Sequence, residues 1–221
     1  MKKIGLLFLI ILALLAINIF ATPLLLKSKK QTDTVDFKLS VSYTVEEGAK
    51  VPEGFADTVK KAQTLLAKVF CSKEFKDALF KQSYNDSAYS KSKKACFLTV
   101  YDEKTGRISG ESVYQNLLKD KEVKLLINVK NNGDKKGTMG ASYACSYQFT
   151  TYDYWLKEKG ELARRLARHI AHEFTHIRGY RHDNKVPKEF KWGRDVKEDP
   201  AYGVGNIVGE ILTAWGKKSL I

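Results

Sequence analysis

One short stretch of the chain combines residue types that could hold a metal ion. His172, His176 and His182 are three of only four histidines among 221 residues. If the stretch is helical, His172 and His176 lie about 40° apart on one face and one turn apart in height, so their imidazoles can share one ion. Zn²⁺ binds histidine nitrogen, and a catalytic zinc site keeps three protein ligands and one open position. The spacing predicts Zn²⁺ as the cofactor, with these three histidines as its ligands.

Glu173 and Gly179 complete the pattern H-E-x-x-H-x-x-G-x-x-H. Glu173 adjoins a ligand without needing to coordinate, which suits a general base acting on a zinc-bound water. His182 cannot reach the same ion along a continuous helix. Gly179 can adopt a positive φ, which lets the chain leave the helix and turn back. The three-histidine site therefore requires this glycine.

His169, the fourth histidine, is predicted to lie beside the ligands or at the surface. It falls on the same side of the helix as His172, but about 10 Å from His176 along the axis. A competing interpretation treats the whole cluster as a solvated basic face. It rests on five nearby arginines: Arg164, Arg165, Arg168, Arg178 and Arg181.

The elements that must position these residues are visible in the hydrophobic pattern. Apolar residues recur every four positions from Leu162 to Phe174, which predicts an amphipathic helix over Glu161–Arg178 that ends at Gly179. Elsewhere the pattern predicts strands at Phe37–Thr44, Ala95–Tyr101, Val123–Val129 and Tyr143–Tyr152, helices at Ala56–Phe70 and Ala201–Trp215, and a polar loop at Ser83–Lys94. This order predicts an α+β fold. It has one mixed β-sheet of about four to five strands, a backing helix, a zinc-binding active-site helix and a C-terminal helix.

The N-terminus has the composition of a targeting segment. Two lysines precede an apolar run over residues 4–26, which fits either a cleaved signal peptide or an uncleaved membrane tether. Residues 1–26 are therefore predicted to be a signal peptide or an N-terminal membrane anchor. Residues 27–36 are interpreted as a linker and residues 37–221 as a single domain. Both alternatives predict a secreted or membrane-anchored protein whose domain lies outside the cytoplasm.

The net charge indicates which binding partners to expect, and the cysteine content indicates whether a disulfide forms. Five of the +13 charges lie in residues 1–30, which leaves a net charge of +8 for the rest of the chain. A basic surface can contact nucleic acid, but scattered lysines are typical of a solvated surface. We therefore expect no nucleic-acid partner. We also expect a monomer. Three cysteines in an exported chain predict one disulfide and one buried thiol, with the pairing left open: Cys71, Cys96 and Cys145.

The stretch "HEFTHIRGYRHD", from His172 to Asp183, resembles the metzincin clan of zinc endopeptidases. Asp183, directly after the third histidine, resembles the adamalysin (reprolysin) branch, and "TMGASYAC" (Thr138–Cys145) is similar to the strand that those enzymes place ahead of the zinc helix. The resemblance implies a zinc metallopeptidase-like catalytic domain that cleaves peptide bonds of a protein or peptide substrate extended along a sheet-edge strand. It also implies that Asp183 braces the ligand loop or accepts a hydrogen bond.

The chain departs from the metzincin pattern downstream of the third histidine. Metzincins carry a methionine turn there as a floor under the metal, whereas this chain has only Met1 and Met139, both upstream. "DPAYGVGN" (Asp199–Asn206) is the best candidate to replace that turn. Tyr202 within it is a candidate catalytic residue, which could reach the metal or donate a hydrogen bond to a developing oxyanion. The alternative role for Tyr202 is core packing ahead of the last helix.

Two further functions compete with the protease hypothesis. One is a metal-dependent endoribonuclease, because "HIRGYRH" (His176–His182) is similar to part of the H-G-x-x-H-x-x-G-Y-x-H string of a bacterial RNA-maturation family. That family is cytoplasmic and has glycine at the position of Glu173. The other is a non-catalytic zinc-binding module at the cell surface, which would need no base beside its ligands.

Overall fold

A four-stranded mixed β-sheet organises the part of the chain that the computed structural model describes, which is residues 36–85, 105–131, 137–157, 160–182 and 199–218. The strands are, in chain order, β1 (Lys38–Val45), β2 (Ser83–Asn85), β3 (Arg107–Ser109), β4 (Glu122–Lys130), β5 (Gly140–Ser142) and β6 (Gln148–Tyr152). The sheet has the order β1-β4-β6-β5. In it β1, β4 and β6 run parallel, and β5 is an antiparallel edge strand. The strands β2 and β3 form a separate antiparallel pair.

Six helices lie among the described residues. They are α1 (Phe55–Phe70), α2 (Lys73–Phe80), α3 (Gly110–Leu117), α4 (Asp153–Leu156), α5 (Leu162–Ile177) and α6 (Pro200–Lys218). Serine hydroxyls cap two of them, because Ser72 and Ser109 accept hydrogen bonds from first-turn N–H groups of α2 and α3. The helix α5 is central: it packs against α1, α6 and β5.

Burial of apolar side chains fixes the rotation of α5. Every second residue of β4, from Val123 to Val129, is buried, and α5 buries an apolar stripe from Leu166 to Ile177. Each buried Leu, Ile or Phe side chain contributes about 1.5–3 kcal/mol, so the stripe cannot easily turn away from the core. The other faces of α5 are thereby directed toward β5 and α6.

The predicted α+β class, with one mixed sheet of four strands, is confirmed. The strands predicted at Phe37–Thr44 and Val123–Val129 are β1 and β4, shifted or extended by one residue at each end. The helices predicted at Ala56–Phe70, Glu161–Arg178 and Ala201–Trp215 are α1, α5 and α6, and only the C-terminal end of α6 differs by more than one residue.

The predicted strand over Tyr143–Tyr152 is wrong in its first half. The chain forms β5, reverses direction over residues 143–147 and returns as β6. Cys145 and Tyr147 have left-handed φ values of 66° and 49°, which a continuous strand does not contain. The β propensity of this tyrosine-rich stretch did not indicate the reversal, because propensity reflects packing on a sheet and not the direction of the chain.

Some predictions fall outside the described residues. These are the targeting segment 1–26, the strand at Ala95–Tyr101 and most of the loop at Ser83–Lys94, of which Ser83–Asn85 is β2 and not loop. Cys145 is disulfide-bonded and Cys71 is a half-buried free thiol, in agreement with the expected disulfide and thiol. In the described part of the chain, no helix has the length and apolar character needed to cross a membrane.

The helix α6 contains four glycines and is still helical from Pro200 to Lys218. A Cβ added at Gly205 would lie 3.4 Å from Cβ of His172, and one at Gly209 would lie 3.1 Å from Cδ of Arg168. Glycine lowers helix propensity but allows another chain to approach closely. The glycines at positions 205 and 209 are therefore explained by the close packing of α6 on α5.

Two glycine substitutions in α6 should differ in their effect on stability. A Cβ at Gly203 would lie 2.5 Å from the hydroxyl oxygen of Tyr84, whose side chain is fully buried and cannot easily move. We expect Gly203→Ala to lower the free energy of unfolding by about 1–3 kcal/mol. The matched control Gly205→Ala should be neutral or raise it by up to about 1 kcal/mol, through better helix propensity. Urea unfolding of both variants measures this, and equal effects would contradict the packing described here.

Candidate metal centre

The three predicted ligands come together at the C-terminal end of α5. The Nε2 atom of His176 lies 3.2 Å from Nε2 of His172 and 3.2 Å from Nε2 of His182. One ligand atom from each histidine lies within 4.8 Å of the other two. Two nitrogens bound to one tetrahedral Zn²⁺ at about 2.05 Å are about 3.3 Å apart. The two separations of 3.2 Å are close to this value, and the three histidines can therefore hold a metal ion.

The break in the helix occurs where the pattern required it. The helix α5 ends at Ile177, and Gly179 has a φ of 99°. This left-handed conformation reverses the chain, so that His182 returns to the face that carries His176. The predicted role of Gly179 is confirmed.

Each of the three histidine rings also has a hydrogen-bond partner that orients it. Nδ1 of His176 lies 2.8 Å from the carbonyl oxygen of Tyr180, and Nδ1 of His182 lies 2.8 Å from Oδ2 of Asp199. The ring of His172 is hydrogen-bonded to the backbone of Ala201. An acceptor beside Nδ1 places the proton of a neutral imidazole on that atom and leaves the lone pair on Nε2.

This arrangement of lone pairs is what a cation site needs. Lone pairs facing one another across 3.2 Å repel unless a cation lies between them. Burial, with the neighbouring imidazoles as a smaller cause, lowers the pKa of His172 well below its usual value and that of His176 to about 4. Both rings are thus neutral at pH 7, which is the form that binds a metal.

Asp199 joins the centre to α6. Its Oδ1 accepts hydrogen bonds from the backbone N–H of Ala201 at 2.9 Å and of Tyr202 at 3.2 Å, which caps the helix. Its Oδ2 faces His182. One carboxylate therefore both begins the helix and orients a ligand. Sequence analysis gave a role of this kind to Asp183, which lies outside the described residues.

Tyr202 packs directly on two ligand rings. Its ring centroid lies 4.7 Å from that of His172 and 4.8 Å from that of His182, and the second pair is stacked. Burial, together with the negative charges of Asp199 and Glu173, raises its pKa above the usual value. The segment predicted to replace the methionine turn is thus the first part of α6, and it packs against the ligands through Tyr202.

Glu173 lies on the side of α5 that faces β5. Its side chain is 3% exposed, and its Oε2 accepts a hydrogen bond of 2.7 Å from the hydroxyl of Ser142. Burial raises its pKa to about 7, and it outweighs the opposing effects of the Ser142 hydrogen bond and of His182. A carboxyl group with a pKa near 7 can both accept and release a proton at neutral pH.

His169 is buried behind Glu173 and does not belong to the ligand group. Its Nε2 lies 3.2 Å from Oγ1 of Thr151, which also accepts a hydrogen bond from the indole of Trp155. Its Nδ1 lies 3.8 Å from Oε1 of Glu173. Burial lowers its pKa to about 3, so the ring is neutral. The expectation that His169 is not a ligand agrees with this placement, but the surface alternative is wrong.

A solvated basic face describes only part of this helix: Arg168 is exposed, whereas His169 and Glu173 are buried. Arg178 is completely buried at the end of α5. Its guanidinium donates to Asp120 at 2.7 Å, to the hydroxyl of Tyr147 at 2.8 Å and to the carbonyl oxygen of Leu117 at 3.1 Å. Arg178 therefore anchors the end of α5 on the segment that follows α3.

Compared with protein-family models, with curated proteins and with solved structures, the chain matches none. Its function must be inferred from the geometry of the centre itself.

The contacts of Asp199 with His182 and of Ser142 with Glu173 were not predicted from the sequence. Asp199 was detectable, because an Asp directly before a Pro is typical of a helix that begins with a capping carboxylate and proline in its first turn. Ser142 carried no such signal. Its contact with Glu173 depends on how β5 lies against α5, which local patterns do not encode.

Removing a ligand and removing the buried histidine should affect zinc binding very differently. We expect His182→Ala to weaken zinc binding by more than about 100-fold, because it leaves two ligands. His169→Ala should weaken it by less than about 10-fold, since His169 contacts Glu173 and Thr151 instead. Titration of metal-free protein with Zn²⁺ measures both constants. If the two variants bind zinc equally well, the ligand assignment fails.

Two substitutions of Asp199 should separate its two roles. Asp199→Ala removes both, so we expect zinc binding to weaken by about 10–100-fold and stability to fall by about 1 kcal/mol through loss of the cap. Asp199→Asn keeps an oxygen for the cap but places an amide nitrogen beside His182. It should lose zinc affinity while remaining more stable than Asp199→Ala in thermal unfolding. Unchanged zinc affinity in both variants would show that Asp199 does not orient His182.

Proposed function

We propose that the chain is a zinc-dependent endopeptidase of metzincin type. One observation carries the proposal: a buried carboxyl group, Glu173, adjoins a three-histidine group and faces the edge strand of the sheet. This combination supplies a metal site, a base and a place for an extended substrate within one short region.

Zinc is the metal that this ligand set suits best. Three imidazole nitrogens, with acceptors behind the rings of His172, His176 and His182, are typical of zinc enzymes. A structural zinc site usually closes the fourth position with a protein ligand, and the described residues bring only three His, Cys, Asp or Glu side chains together here. When bound, zinc would act as a Lewis acid on the scissile carbonyl and lower the pKa of water.

Glu173 is the proton-transfer group in the proposed reaction. Its carboxylate takes a proton from the attacking water, the water oxygen adds to the peptide carbonyl carbon, and the carboxyl returns the proton to the leaving nitrogen. Burial at 3% exposure keeps solvent from competing for the carboxylate. Tyr202, packed on His172 and His182, is the candidate donor to the carbonyl oxygen as it gains negative charge.

The edge strand β5 is the proposed substrate-binding element. Among the described strands it pairs only with β6, so its other edge can accept an extended peptide by β-strand addition. Exposed apolar side chains lie on either side of it, with Met139 38% and Tyr143 81% exposed. Such side chains can contact alternate residues of a bound peptide. The proposed substrates are proteins outside the cytoplasm, because the apolar segment 4–26 has the composition of a signal peptide or a membrane anchor.

The test compares zinc-loaded wild-type protein with Glu173→Gln and with Glu210→Gln, a control on an exposed position of α6. We expect wild type and Glu210→Gln to cleave internal bonds in a peptide library. Glu173→Gln should bind zinc normally but lose at least about 100-fold in kcat, because the amide cannot accept the proton. Mass spectrometry of the products measures cleavage.

An RNA substrate included in the same assay distinguishes the ribonuclease alternative. Glu173-dependent cleavage of RNA, with no peptide cleaved, would replace the protease proposal. Stoichiometric zinc with neither activity would leave a non-catalytic zinc module as the better description.

A further inference from the structure

The hydroxyl of Ser142 makes the direct hydrogen bond between β5 and the carboxyl group of Glu173. It lies 2.7 Å from Oε2 of Glu173 and 3.1 Å from the carbonyl oxygen of the same residue. Ser142 is half-buried at the end of the strand. A short hydrogen bond to a carboxylate is among the stronger hydrogen bonds in proteins, so it restricts the carboxyl group to one orientation.

The backbone of Ser142 faces a different direction from its side chain. The N–H of Tyr152 in β6 donates to the carbonyl oxygen of Met139 at 3.0 Å. Backbone groups in an antiparallel pair alternate in direction, so those of Ala141 point to β6 as well, and those of Gly140 and Ser142 point to the other edge of β5, which no described strand covers and which is called the open edge below. Ser142 thus presents its backbone where an added strand would pair, and its hydroxyl to Glu173.

Gly140 shows how closely β5 must approach α5 for this contact. A Cβ at Gly140 would lie 2.6 Å from Nε2 of His169 and 2.5 Å from the carbonyl oxygen of Thr150. Both are too short for a real contact, so the absence of a side chain is what allows the strand to lie this near the helix. The approach brings the Ser142 hydroxyl within reach of Glu173.

We propose that Ser142 is a positioning residue that couples substrate binding at the open edge of β5 to the orientation of the Glu173 carboxyl group. This inference rests on the proposed function. A peptide that pairs with the backbone of Ser142 fixes β5, and the serine hydroxyl then holds Oε2 of Glu173 in place. The other carboxylate oxygen stays available for the proton of the attacking water.

The kinetic test uses the full-length protein with three substitutions. Ser142→Ala keeps the backbone but removes the hydroxyl, so we expect kcat to fall about 10-fold or more, with KM within about two-fold of wild type. Ser142→Thr restores a hydroxyl at the same carbon and should restore most of kcat. Ser146→Ala, at a half-buried serine in the following turn, should change neither constant. Zinc content should be equal in all four proteins, and an unchanged kcat in Ser142→Ala would overturn the proposal.

A second measurement does not depend on activity. The urea midpoint of metal-free protein is compared for Ser142→Ala made in wild type and in Glu173→Ala. We expect Ser142→Ala to lower the urea midpoint clearly in the wild-type background. The decrease should be much smaller in the Glu173→Ala background, because the two side chains interact. Equal losses in both backgrounds would overturn the link between Ser142 and Glu173, whatever the protein cleaves. If the decreases in urea midpoint differ but no peptide is cleaved, the interaction between Ser142 and Glu173 is supported. The coupling to peptide binding is then rejected together with the proposed function.

Discussion

The fold around the candidate centre places the imidazole nitrogen of His176 at about van der Waals contact with those of His172 and His182, and keeps all three within 4.8 Å of one another. His176 Nε2 lies 3.2 Å from the Nε2 atoms of both other histidines. Without a cation, such nitrogens repel one another, so each ring must be held from outside. The acceptors that hold them come from three places: the turn after α5, the carboxylate that caps α6, and the first turn of α6. The candidate metal centre therefore depends on the junction between two helices and not on α5 alone.

Different sides of α5 contact different elements of the fold. Burial of its apolar stripe fixes the rotation of the helix, and therefore the direction in which each side faces. One side packs on α1 and the sheet. A second faces α6, where glycine at positions 205 and 209 leaves room for His172 and Arg168. A third faces β5 and carries His169 and Glu173. A rotation of α5 would remove the ligands and the carboxyl group from their partners together, which is why core packing matters for a site near the surface.

The sequence allowed prediction of those features that depend on local periodicity or on single-residue conformations. The period of α5, the alternation in β1 and β4, the three ligands and the break at Gly179 all have this character. Features that depend on contacts between distant segments were missed. The reversal at 143–147 was hidden by uniformly high β propensity, and the close packing that the glycines of α6 allow depends on a neighbouring helix that local sequence does not reveal. Ser142 and Asp199 contact residues 31 and 17 positions away, which only the tertiary structure brings close.

The most direct test of the account is X-ray absorption at the zinc K-edge of the full-length protein purified with bound metal. The account predicts one zinc per chain with three imidazole nitrogens at about 2.0–2.1 Å and one further light ligand. It also predicts that His172→Ala lowers the number of imidazole rings bound to zinc from three to two. A sulfur ligand near about 2.3 Å, or a spectrum that His172→Ala leaves unchanged, would contradict a three-histidine centre.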